Sequence, residues 1–200
     1  MEVKVKISDF TPSSHKIFAK ACGKTPLIVE YSIEYKVNFD IPMVTLKIVE
    51  DPTADDKGSL ELYSYSQDST FNNQMDIRKV ELVQIRTMLR MIITMENITD
   101  IWSPTNGFNH ITFQIYFDDP NKVGAVDFPF QNATMPENYD WDYGMWATSW
   151  GIYLYNLNNA RSSNFGDLIT PSPVAGVNKQ ENKITFLIPL SVLETNDLTG

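Results

Sequence analysis

The chain has 200 residues, 25 of them acidic against 16 basic, for a net charge of −9. Clustered Lys and Arg are what phosphate binding requires, so this balance argues against a nucleic-acid partner. Hydrophobic content of 42% with 12% aromatics is too apolar for a disordered chain.

Taken in chain order, the pattern is one of strands. Residues 3–7 alternate polar and apolar and read as a strand rather than a signal peptide. Ser14 to Cys22 reads as one or two helical turns. Cys22 is the single cysteine, which rules out an intrachain disulfide and leaves it as a small packed residue. Residues 27–37 and 44–49 carry β-branched and aromatic residues at period two, and Pro42 between them suggests a strand break or edge.

An acidic turn follows, Asp51-Pro52-Thr53-Ala54-Asp55-Asp56-Lys57-Gly58. Leu60, Tyr63 and Tyr65 then lead to segments 76–84 and 88–95. The second has the length for two helical turns, but Ile92-Ile93-Thr94 favours a strand. Segments 111–117, 150–157 and 184–189 also alternate. Stretches 118–129, 130–138 and 158–181 are rich in Pro, Asn, Ser and Gly and read as long loops. Some ten short strands without a convincing amphipathic helix predict an all-β protein, an antiparallel β-sandwich with long loops. No apolar run approaches the roughly 18 residues of a membrane-spanning helix.

Two constellations point to binding. Calcium takes about six to eight oxygen ligands. Asp51, Asp55 and Asp56 offer three carboxylates in one turn, and Asp118 could converge on them from a later loop. The same turn also reads as a solvated one, in which aspartates hydrogen-bond their own backbone. All four tryptophans lie between positions 102 and 150. A sugar platform needs an exposed flat ring beside polar groups. Trp141 and Trp146, near Asn138, Asp142 and Tyr143, fit that description, and Trp102 with Asn106 fits it too. Trp150 opens an alternating segment and is expected in the core.

Other chemistry finds little support. His15 and His110 are the only histidines, too few for a zinc site. No GxSxG, P-loop or GxGxxG sequence is present, and carboxylate pairs such as Asp118 and Asp142 are not singled out by any motif. The chain is expected not to be an enzyme. Asn97-Ile98-Thr99 and Asn132-Ala133-Thr134 are glycosylation sequons, in keeping with an exported glycoprotein.

An ordered succession of motifs carries a family resemblance: Asp51-Pro52 with Asp55-Asp56-x-Gly58, Leu62-Tyr63-x-Tyr65, Met75-Asp76-Ile77, Ile101-Trp102 with Asn106-Gly107-Phe108, Ile115-Tyr116-Phe117-Asp118, Tyr139-x-Trp141-Asp142-Tyr143, Ser149-Trp150-Gly151, and Ile184-x-Phe186-x-Ile188-Pro189. From about residue 49 to 196 the chain resembles the C-terminal glucodextranase-type module, a sandwich related to the DOMON and family 9 carbohydrate-binding folds. The resemblance implies an extracellular or cell-surface module that binds polysaccharide or cell-envelope glycan. It divides the chain at 48/49, with residues 1–48 supplying strands to the same sandwich or ending a preceding domain. DOMON relatives that hold haem through Met and His bring His110 with Met91 or Met95 into consideration. A second expectation is a structural module of the S-layer or pilus type. Its exposed sheet edge would take a strand from a neighbouring protein chain, and residues 3–7 could be such a strand.

Overall fold

The computed structural model describes residues 14–21, 29–36, 42–57, 63–71 and 74–198. The chain divides into two units, Met1–Pro42 and Met43–Gly200. In the first, strand β1 (Ser14–Ala21) pairs antiparallel with β2 (Val29–Lys36), from Ser14 opposite Lys36 to Ala21 opposite Val29. The helical turns expected at 14–22 are therefore a strand. Segment 29–36 is rich in residues of high strand propensity, and backbone pairing with it outweighs the weak local propensity of 14–21. Residues 3–7 and Cys22 lie outside the described residues.

The second unit holds β3 (Met43–Glu50), β4 (Ile77–Ile85), β5 (Met88–Met95), β6 (Phe113–Phe117), β7 (Asp127–Phe128), β8 (Ala133–Thr134) and β9 (Tyr143–Ala147). After these come β10 (Ile152–Asn156), β11 (Asp167–Ile169), β12 (Val174–Asn178) and β13 (Lys183–Pro189). One sheet has five strands in the order β12-β13-β5-β4-β3, and another has four in the order β11-β10-β9-β6. Every pairing is antiparallel. The small pair β7–β8 forms within the stretch read from sequence as loop, and β11 and β12 likewise interrupt stretch 158–181.

Period-two alternation sets the inward faces. Leu89, Met91, Ile93 and Met95 of β5 and Ile184, Phe186 and Ile188 of β13 point inward from the five-stranded sheet. Phe113, Tyr143, Met145, Ala147 and Leu154 meet them from the other sheet. The rings of Phe113 on β6 and Phe186 on β13 meet edge to face across the two layers, 5.6 Å apart at 73°. The result is an all-β sandwich with antiparallel sheets. Arg86, at φ 53°, and Thr87 close the β4–β5 hairpin. A register shift between Thr45 and Lys47 marks a bulge at Leu46, whose side chain packs on the core.

One polar clamp ties three segments together. Lys122 Nζ donates to Tyr143 Oη and to Glu194 Oε2, each at 2.9 Å, and lies 3.5 Å from Asp119 Oδ2. Hydrogen bonds to Tyr143 and Glu194 push the Lys122 ammonium above its ordinary range. The Lys122 ammonium in turn holds the Glu194 carboxyl below its ordinary range. The lysine's contribution is present below its ordinary value and lost as pH rises through the raised one. The glutamate's is present above its ordinary value and lost as pH falls through the lowered one. Both act at neutral pH. Lys122→Met is expected to speed amide exchange at residues 190–195 roughly severalfold, measured by hydrogen exchange with mass spectrometry, with little change elsewhere.

Candidate functional site

The acidic turn leaves β3 at Asp51, whose amide donates to the Arg78 carbonyl at 3.0 Å. Ala54 takes a left-handed φ of 61°, and its amide donates to Asp76 Oδ2 at 2.9 Å. Pairing of β3 with β4 therefore brings Asp76, at the entry to β4, against the turn. Ligand atoms of Asp51, Asp55 and Asp76 all lie within 4.8 Å of one another. Asp76 is only 5% exposed and its Oδ1 has no hydrogen-bond partner. Burial, and then the charges of Asp55 and Asp76, push the Asp51 carboxyl above its ordinary range. Three clustered carboxylates with an undonated buried oxygen are costly alone and suited to a hard cation.

This cluster differs from the expected one. Asp76 was missed, because its approach depends on strand pairing across 25 positions from Asp51. The Asp56 carboxylate is not part of the group, though its carbonyl accepts a hydrogen bond from the Tyr65 hydroxyl. Asp118 lies at the exit of β6, in the other sheet, and meets Asp140 and Asp142 instead. Beside the Asp76 carboxylate opens a cleft of about 710 Å³ lined by Thr53, Asp56, Tyr63, Tyr65 and Phe71 among others.

The tryptophans divide. Trp141 is 1% exposed, packs on Tyr116 at 5.3 Å and donates from Nε1 to the Asp127 carbonyl at 3.0 Å. A ring with no open face cannot serve as a sugar platform, which corrects the expectation for Trp141. Trp150 is corrected the other way. It sits 59% exposed at the turn closed by Thr148 and Gly151, because the alternating strand begins only at Ile152. Trp102 is equally exposed and meets the edge of His110, whose ring stacks on Phe71 at 3.8 Å. His110 Nε2 contacts Thr70 Oγ1 at 2.9 Å, while Met91 and Met95 are buried in the core. Asn106 uses its Nδ2 to hold the Thr148 carbonyl at 2.7 Å.

Trp146 belongs to a larger group. It is half-buried on β9, directly opposite Tyr153 of β10 and Gln114 of β6. Because Met145, Ala147 and Leu154 point inward, Trp146, Tyr153 and Tyr155 stand on the outer face of the four-stranded sheet. Phe165 lies 4.0 Å from Trp146, stacks on Tyr155 at 5.2 Å and touches Phe130 at 5.0 Å. Tyr153 and Phe130 are 44% and 60% exposed. Tyr153, Tyr155, Phe130 and Phe165 were not among the expected site residues. The period-two spacing of Tyr153 and Tyr155 was a signal that could have found those two, whereas Phe130 and Phe165 lie outside the strands and carried none.

The Met43–Gly200 unit is thus a two-layer antiparallel sandwich with an aromatic outer sheet face and an acidic turn. The family model for the C-terminal, SLH-like binding module of glucodextranase matches residues 46–200, and the chain belongs to that family. None of the curated proteins compared with it matches the chain. The matched family is a binding module and not a catalytic domain.

Proposed function

We propose that the Met43–Gly200 unit is a non-catalytic, extracellular or cell-surface module that binds polysaccharide. The observation that carries the reading is the contiguous outer-face array of Trp146, Tyr153, Tyr155, Phe165 and Phe130. Aromatic faces take up the apolar faces of sugar rings, and Gln114 beside Trp146 supplies an amide for hydroxyls. Trp102 and Trp150 are further exposed rings of the same unit. Family membership supports the reading at the level of a binding module. We place Ca2+ at Asp51, Asp55 and Asp76, where it would neutralise the carboxylates and join the turn after β3 to the start of β4.

The test is Tyr153→Ala, which removes a partly exposed ring and leaves the core untouched. Affinity for a retained glucan is expected to fall roughly three- to tenfold with the melting temperature unchanged. Unaltered affinity in Tyr153→Ala and in Trp146→Ala would remove this face from the binding site.

One observation favours a structural reading as an alternative. The outermost strand of its sheet, β3, pairs among the described residues with β4 alone, and Met43, Val44, Ile48 and Val49 are exposed. Such an edge can accept a strand from another chain. Concentration-dependent polymerisation abolished by a proline at position 48, with no glycan retention, would favour it over the first reading.

A further inference from the structure

We propose, building on the polysaccharide-binding reading, that the cleft beside the acidic turn is a saccharide subsite that takes a short run of uncharged sugar rings. It belongs to the five-stranded sheet, whereas the aromatic array stands on the four-stranded one. Its base is the entry to β4, with Met75, Asp76 and Arg78. Glu96 is held beside them, because its amide donates to the Asp76 carbonyl at 2.8 Å. One side is the acidic turn and the other is the segment from Tyr63 to Phe71. The two sides are tied together. The Tyr63 amide donates to the Lys57 carbonyl at 3.2 Å, and the Tyr65 hydroxyl donates to the Asp56 carbonyl. Thr70 anchors the second side, since its carbonyl accepts from the Thr99 hydroxyl and its own hydroxyl meets His110 Nε2, each at 2.9 Å. A cleft braced in this way is largely formed before a ligand arrives, which lowers the ordering cost of binding.

The lining indicates the ligand. At about 710 Å³ the cleft has the volume of a small-ligand site. It combines the rings of Tyr63, Tyr65 and Phe71 with hydroxyl and amide groups from Thr53, Ser64 and Gln67. A sugar ring matches that mixture, having an apolar face and a rim of hydroxyls. Tyr63 is 68% exposed, so its ring is open to a ligand. Two buried polar atoms of the lining, Asp76 Oδ1 and Arg78 Nε, have no hydrogen-bond partner among the described residues. Ca2+ at Asp76 would take up the oxygen but not the guanidinium N–H, whose Nη1 neighbour is already 3.2 Å from Glu96 Oε2. A ligand hydroxyl oxygen accepts that N–H and removes the cost of a buried donor without an acceptor. Charge narrows the class further. Asp56, Asp68, Asp76 and Glu96 face Lys57 and Arg78, so the lining has no positive excess even with Asp76 neutralised by Ca2+. A uronate is repelled there, and a neutral hexose is not.

Hydrogen exchange with mass spectrometry on the full chain, in calcium, tests this with short neutral α- and β-linked gluco-oligosaccharides as probes. Slower exchange across residues 63–71 is expected with the neutral probes, and unchanged exchange there with oligogalacturonate. Tyr63→Ala, at an exposed position outside the core, should weaken the apparent affinity read at 63–71 roughly three- to tenfold. Tyr153→Ala, on the other sheet, should leave that protection in place. Protection confined to residues 143–156 would overturn the cleft and leave the polysaccharide reading standing. Protection at neither segment would remove both. Protection at 63–71 that Tyr63→Ala does not weaken, or that oligogalacturonate produces equally, would also overturn the proposal. Circular dichroism of each variant confirms that the readout comes from folded protein.

Discussion

Trp141→Ala is expected to destabilise the Met43–Gly200 unit by about 3–5 kcal/mol, lowering its melting temperature by on the order of 10 °C. The indole is almost wholly removed from solvent, with Tyr116 on one side and its Nε1 proton spent on the Asp127 carbonyl. Truncation would leave a cavity and an undonated carbonyl together. The backbone there is equally constrained: Ala125 and Trp141 exchange hydrogen bonds of 2.8 and 2.9 Å. A Cβ at Gly124 would lie 2.6 Å from the Trp141 carbonyl oxygen, so only glycine permits this approach. Chemical denaturation checks the figure. A loss below about 1 kcal/mol, with glycan binding abolished, would return Trp141 to the role of platform.

Removal of calcium should have the next largest effect. A ligand present at about a hundredfold its dissociation constant stabilises the folded state by about 2.7 kcal/mol. EGTA is therefore expected to lower the melting temperature by on the order of 5–10 °C. Asp76→Asn should abolish most of the EGTA response, because Asp76 is the buried member of its cluster. The pH dependence has a defined sign. The Asp51 carboxyl is raised by burial and by Asp55 and Asp76, so without calcium the folded chain holds that proton longer than the unfolded chain. Its contribution is present at pH below the ordinary aspartate value and is lost as pH rises through the raised one. Calcium bound at the proposed site would reverse the trend, because it would bind the deprotonated cluster. Exposure of Asp51 to solvent keeps the calcium-free dependence shallow. An EGTA response that is equal in the parent chain and in Asp76→Asn would contradict this site.

Half-buried strands were legible because one face is polar. Segment 184–189 was read as alternating and alternates in burial, while 88–95, read as a strand from Ile92-Ile93-Thr94, alternates in burial without alternating in sequence. Strand β9 was not legible, since Tyr143, Gly144, Met145 and Ala147 are all buried and leave no polar alternation. That hidden strand explains why Trp146 read as a loop residue, while Trp141 forms only an isolated bridge with Ala125. Strand β12 was masked by Pro171 and Pro173, and β11 is only three residues long.

The acidic turn was visible as a cluster of aspartates, but its buried partner was not. Asp76 reaches the turn through β3–β4 pairing, with Glu50 opposite Lys79. Asp118 looked equally available from sequence. It sits on the other sheet, beside residues that approach it only because β6 pairs with β9. Spacing along the chain revealed which residue types were present, and strand register decided which of them meet.

Affinity electrophoresis of the full chain through gels carrying soluble α-glucans, β-glucans or cell-wall polysaccharide tests polysaccharide binding most directly. With calcium present, retardation in at least one gel is expected, without release of reducing sugar and with a weaker effect in Tyr153→Ala. Unretarded migration of folded, calcium-loaded protein in every gel would contradict the account.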